Sequence, residues 1–171
     1  MEKFKIKKMN TKIDNEFIAQ LVSKAKASDR KRSHFNFHKD LNEPVQRVCI
    51  ALIKGTYVCP HHHPAANKWE LMLPISGKVC LVIFDRAGVI LEKITLGEGD
   101  NLSGIELQPN TWHTVYPIAD EAIIMEVKEG PYTATQPNDF ADWAPQEGEP
   151  EVGDFLTWLE NAAPGDVFRA R

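Results

Sequence analysis

Long apolar runs are missing from this 171-residue chain. No stretch of about 18 consecutive apolar residues occurs, so nothing in the sequence reads as a membrane-spanning helix. The N-terminal residues are charged and lack an apolar core segment, so no secretory signal and a cytoplasmic location are expected. Cysteine is scarce. Cys49, Cys59 and Cys80 are odd in number and show no staple spacing, which fits reduced residues in a reducing compartment. Strong net charge is absent too: the formal value is −4 at pH 7, which argues against nucleic acid or an anionic membrane as the main partner. Between the strand-like segments no helix is long enough for a βαβ crossover, so a parallel sheet is not expected. No repeat of domain size is visible.

Hydrophobic residues make up 43 % of the chain, enough for one buried core. Charge is uneven: residues 1–32 carry a net +6 and residues 138–171 a net −6. Two solvated faces explain this most simply, and attraction between the two ends, within a chain or across a dimer, is the sharper alternative. The first dozen residues read as extended and basic. Phe17, Ile18, Leu21, Val22 and Ala25 follow a helical spacing, with Thr11 or Asp14 as cap and Ser28-Asp29 as the end. Short β-branched runs then predict strands over 45–53, 56–62, 69–76, 78–85, 88–95, 104–107, 112–117 and 121–128, punctuated by turn residues. The last segment is acidic and rich in Pro. Phe140, Trp143 and Ala144 are expected to pin it, and Asp154 to cap a short helix carrying Phe155, Leu156, Trp158 and Leu159. The expected architecture is mainly β: a single antiparallel sandwich or barrel with an N-terminal helix and a short C-terminal helix. It divides into a basic helical segment (1–44), the barrel (45–130) and an acidic extension (131–171).

Four histidines carry the chemistry. On a strand, alternate side chains share a face, so His61 and His63 point together and His62 points away. Glu70 opens the next predicted strand and, if the two pair as a hairpin, swings beside them. His113 arrives at the start of a later strand. Imidazoles and a carboxylate converging inside a barrel form an N/O site for a borderline divalent metal. Cys59 shares the face of His61 but reads as an inert buried thiol.

Gly55, His61, His63, Glu70 and Gly77 resemble the first cupin motif: Gly, five residues, His-x-His, a gap, Glu, six residues, Gly. The gap from His63 to Glu70 holds six residues and is longer than usual. Gln108-Pro109-Asn110-Thr111-Trp112-His113 resembles the second motif, with Asn110 at its Gly position. Asn is the residue besides Gly that best tolerates a left-handed turn. Further segments resemble the WbuC family of cupin-fold metalloproteins: Arg32 to His38, Glu43 to Arg47, Lys68-Trp69-Glu70, Thr111 to His113 and Glu126 to Tyr132. That resemblance covers roughly residues 12–160. It implies a cupin jelly roll, one divalent transition metal (Fe, Mn, Ni or Zn) on His61, His63, Glu70 and His113, and an association with bacterial surface-polysaccharide (O-antigen) genes. It leaves the reaction open.

Asn36, His38, Gln46, Arg47, Lys68 and Tyr132 are candidates for the wall of the barrel mouth, where they offer hydrogen bonds to a hydroxylated or anionic small molecule. Three imidazoles and a carboxylate leave one or two metal positions open, as in catalytic sites. Isomerisation or epimerisation of a sugar or keto acid is one expectation, with His38 or Tyr132 as base. Fe-dependent dioxygenation and a non-catalytic metal- and ligand-binding module are the alternatives. Fold class also leads us to expect a homodimer.

Overall fold

The computed structural model describes residues 10–169; the extended basic segment expected at the N-terminus falls largely outside them. Helix α1 (Asn15–Lys26) begins where Asp14 Oδ1 accepts a hydrogen bond from Phe17 N at 3.0 Å. That bond satisfies one of the N–H groups a first turn leaves unpaired. Its apolar stripe, Phe17, Ile18, Leu21, Val22 and Ala25, packs as one face onto Phe35, Phe37, Cys49, Ala51 and Ile123.

Eight strands follow: β1 (Arg32–Asn36), β2 (Val45–Ile53), β3 (Glu70–Ser76), β4 (Lys78–Phe84), β5 (Ile90–Gly97), β6 (Ile105–Leu107), β7 (Trp112–Pro117) and β8 (Glu121–Glu129), before the closing helix α2 (Val152–Asn161). They form a five-stranded sheet, β1-β2-β8-β3-β6, and a three-stranded sheet, β5-β4-β7. Every pairing is antiparallel. The architecture is a mainly β jelly roll with an N-terminal helix and a short C-terminal one. The two sheets are not hydrogen-bonded into a closed barrel. No helix among the described residues is long and apolar enough to cross a membrane.

Strand alternation sorts the side chains into layers. Ile50, Leu52, Met72 and Ile124 of the larger sheet meet Val79, Leu81, Leu96 and Val115 of the smaller one in the central core. The outer face of the larger sheet is covered by α1. Cys80, Val82, Phe84 and Tyr116 on the outer face of the smaller sheet are covered by Ala141, Ala144, Phe155 and Leu159 of the C-terminal segment.

Three local expectations differ, and one strand was not expected. Residues 56–62 do not form a strand; they run beside β7 with one bridge, His61 to His113. Pro60 has no N–H to give a ladder. The carbonyls of Tyr57 and Val58 are taken by the Arg32 guanidinium at 2.5 Å and the Thr114 hydroxyl at 2.5 Å. Strand β1, which the basic cluster concealed, pairs along β2 because Phe35 packs edge-on against Phe17, with ring centroids 5.0 Å apart. Asp154 does not cap α2. Glu151 stands at that position, and Asp154 lies inside the first turn, where its charge suits the helix N-terminus. Finally, β3 pairs with β6 and β8, not with the His61 segment.

Among the described residues, two arginines of the basic segment meet the acidic one within the chain. Arg30 grips Glu147 through Nε at 2.6 Å and Nη2 at 2.7 Å, and Arg32 Nη2 adds a contact at 3.0 Å.

Candidate metal centre

Two reciprocal backbone hydrogen bonds, His61 N to His113 O at 3.0 Å and His113 N to His61 O at 2.9 Å, lock the 57–63 segment against β7. His113 lies opposite Ile83 of β4, on the inward face. The bridge therefore sets the His61 ring beside it, centroids 4.5 Å apart. Two residues on, His63 faces the same way, 5.1 Å from the His61 ring. His62 between them turns outward and stacks on Trp112 at 4.0 Å with 25° between the planes. Asn110 makes the turn that delivers His113: its φ is 66°, the left-handed region, and its N–H donates to His63 O at 2.9 Å.

Ring orientation is set from behind. His61 Nδ1 lies 2.9 Å from Cys59 O, and His113 Nδ1 lies 2.9 Å from Thr111 O. A carbonyl only accepts, so each Nδ1 carries the proton and each Nε2 keeps a lone pair for the interior. One ring nitrogen from each of His61, His63 and His113 lies within 4.8 Å of the others. Burial, then the proximity of His113 and His63, holds His61 well below the usual imidazole pKa, which favours the neutral form a metal requires.

Glu70, 3 % exposed, stands against this cluster. Its Oε1 is 3.1 Å from His63 Nε2 and its Oε2 is 3.0 Å from His113 Nε2. Those lengths suit hydrogen bonds, but the angles do not: His63 Nε2 and Glu70 Oε2 are buried without a hydrogen-bond partner. The three histidine nitrogens converge in a set that suits a borderline divalent cation, and Glu70 stands beside them.

Glu70 also pairs with Lys128, directly opposite on β8, and Lys128 Nζ lies 2.9 Å from Glu126 Oε2. Burial would raise the Glu70 pKa; Lys128 and the contacts from His113 and His63 outweigh it and hold the carboxyl well below the usual range. Burial likewise opposes charge on His113 and on Lys128. Glu70 raises His113 nonetheless, and Glu126 with Glu70 raises Lys128.

The cluster borders a cavity of about 500 Å³. Asn36, His38, Gln46, Lys68 and Tyr132 line it, together with His61, His63 and Glu70. Arg47 is not among the lining residues: alternation turns it away from Gln46, and its guanidinium meets Glu43 at 2.9 Å. Sequence reasoning missed Lys128, Glu126 and His34, which also line the cavity. The period-2 pattern of Glu126, Val127 and Lys128 was the available signal. Cys59 sits in the outer core with its Sγ 3.6 Å from Pro145 O, away from the histidines.

A family profile described as a domain of unknown function (DUF6016) matches residues 13–96, just under half of the chain. The matched stretch includes His61, His63 and Glu70 and ends before His113. No curated protein matches. Solved structures do. An oxalate oxidase in complex with the substrate analogue glycolate is 13 % identical with a TM-score of 0.50, over 63 % of this chain and 55 % of that one. This chain thus spans about half the length of that oxidase. KdgF from Halomonas sp. is 16 % identical with a TM-score of 0.46, over 60 % of this chain and 80 % of that one. A cupin superfamily protein from Desulfitobacterium hafniense is 13 % identical with a TM-score of 0.45, over 57 % of this chain and 76 % of that one. At these identities the similarity is one of fold, an antiparallel β jelly roll, within which the three-histidine cluster suits a metal. These similarities do not single out the WbuC family; that likeness rests on the motifs.

Proposed function

We propose that this protein is a cupin metalloprotein that holds one divalent transition metal on His61, His63, Glu70 and His113 and acts on a sugar or keto acid as an isomerase or epimerase. The observation that carries the metal reading is the convergence of three imidazole nitrogens on one inward point, two of them oriented by backbone carbonyls. When bound, the metal supplies Lewis acidity, polarising a carbonyl and its neighbouring hydroxyl. The motif likeness to the WbuC family supports a sugar-related substrate.

The chain's own groups divide the remaining work. Lys128 stays protonated between Glu70 and Glu126, so it donates hydrogen bonds and is no base. His38 is held by the Arg47 backbone, its Nδ1 lying 2.9 Å from Arg47 N and 3.0 Å from Arg47 O, which leaves Nε2 to exchange a proton with a ligand in the cavity. Lys68 donates to Glu129 O at 3.0 Å and Pro131 O at 2.6 Å, tying the cavity rim together beside Tyr132.

The test is elemental analysis of untagged protein purified without added metal. About one equivalent of Fe, Mn, Ni or Zn, lost in His61→Ala and in His113→Ala, is the expected result. Protein that neither retains nor takes up metal overturns the reading. Metal-loaded protein that binds sugars saturably without turnover leaves a binding module in place of the enzyme.

A further inference from the structure

The two oxygens of the Glu70 carboxylate face different surroundings. Oε1 lies against the Lys128 ammonium, directly opposite on β8. Oε2 lies 3.0 Å from His113 Nε2 and is buried with no hydrogen-bond partner. Oε1 also lies 3.1 Å from His63 Nε2. Two donor atoms at about 2.1 Å from a metal, and at right angles to one another, lie about 3.0 Å apart. Both contacts fit that spacing, so distance alone would let a metal take Oε2, Oε1 or the pair. What distinguishes the two oxygens is Lys128.

Lys128 is not free to step aside. Glu126, two residues earlier on the same face of β8, holds the ammonium from its other side, with Oε2 at 2.9 Å from Nζ. Withdrawing the ammonium would strand two carboxylates that are themselves buried. The pairing comes from the β3–β8 register and owes nothing to the histidines. A metal that took Oε1 would share one oxygen with an ammonium, and like charges repel strongly where water is excluded. A metal on Oε2 alone keeps the width of the carboxylate between the two cations. A hydrogen bond to a ligating carboxylate is a general means of fixing how it binds.

The mode matters for what else the metal can hold. A carboxylate bound through both oxygens fills two coordination positions, and one bound through a single oxygen fills one. With three imidazoles on a six-coordinate metal, the single-oxygen mode leaves about two positions open and the other mode about one. A small molecule that attaches through a carbonyl and a neighbouring hydroxyl needs both.

We propose that Lys128 is a positioning residue of the metal centre: by holding Glu70 Oε1 it makes Glu70 a single-oxygen ligand through Oε2 and keeps a second position on the metal open. This rests on the metal-centre reading above and assigns a task to a residue outside the ligand set. Glu126 takes part by anchoring the ammonium from behind.

EPR of manganese-loaded protein, in water enriched in the magnetic isotope of oxygen, counts the water molecules on the metal; manganese content is measured on the same samples. Wild type should carry about two waters per bound ion. Lys128→Met releases Glu70 Oε1 to the metal and should carry about one. A lysine with a merely structural role would change how much manganese is held and leave the waters per bound ion as they were. The double variant Lys128→Met with Glu126→Gln, which removes one stranded charge, should read the same as Lys128→Met and serves if the single variant does not fold. A wild-type count of about one water, or folded variants that keep the wild-type count, overturns this inference alone. Wild-type protein that takes up no manganese overturns the metal-centre reading on which it rests.

Discussion

Lys128 and Glu70 face each other across the β8–β3 pair, and their side chains form a buried ion pair that Glu126 extends at 2.9 Å from the same ammonium. A cation is therefore built into the wall of a site whose histidines suit a second one. The charge of Lys128 lets Glu70, 3 % exposed, stay ionised in the interior, and the same ammonium reaches Glu126.

Removing that cation leaves both carboxylates uncompensated. Lys128→Met is expected to destabilise metal-free protein by about 3 kcal/mol. Adding Glu126→Gln should recover part of the loss, because one of the stranded charges goes with it. Urea unfolding of the two variants measures both effects, and a Lys128→Met protein as stable as wild type would remove Lys128 from this role.

Metal and folding are linked. An ion that binds the folded site at a free concentration 100-fold above its Kd adds about 2.7 kcal/mol of stability. Calorimetric melting before and after chelation should show a fall in Tm, and the fall should vanish in His113→Ala.

The Arg30–Glu147–Arg32 clamp has a pH signature. The hydrogen bond from Arg30 is the main reason that the Glu147 carboxyl titrates below its ordinary range. Its folded pKa is thus below the unfolded value of about 4.3. The stabilisation is present above that value and fades as pH falls through the folded pKa. Because the group is 40 % exposed, the effect should stay below about 1 kcal/mol. Comparing wild type with Glu147→Gln at pH 7 and pH 3 tests it: the stability gap should narrow in acid.

Asn110 adopts φ 66° in the turn before His113. Asn110→Gly should be neutral or mildly stabilising, and Asn110→Ala should cost about 1 kcal/mol, since alanine is strained in the left-handed region. Chemical denaturation reads the difference. Equal stability of the two variants would show that the turn places no demand on this residue.

Much of the site was legible because it rests on local rules. The alternation of His61, His62 and His63 needs only the two-residue period of an extended chain, and the structure places two rings inward and the middle one on Trp112. The turn chemistry of Asn110 is equally local, as is the capping of α1 by Asp14. Strand β1 was not legible, because what makes it a strand is Phe35 and Phe37 packing under Phe17, a contact between elements. The 56–62 segment reads as a strand by composition, yet its carbonyls bond to the side chains of Arg32 and Thr114, which sequence spacing does not reveal.

By itself the sequence determined the all-β texture and which faces the histidines share, since propensity, turn residues and side-chain period act over a few residues. Only the tertiary structure decided what surrounds them. It put Lys128 opposite Glu70, set Glu70 Oε2 against His113, and turned Arg47 away from the cavity. Those outcomes depend on the register of strands distant in the chain, where a shift of one residue exchanges every inward side chain for an outward one.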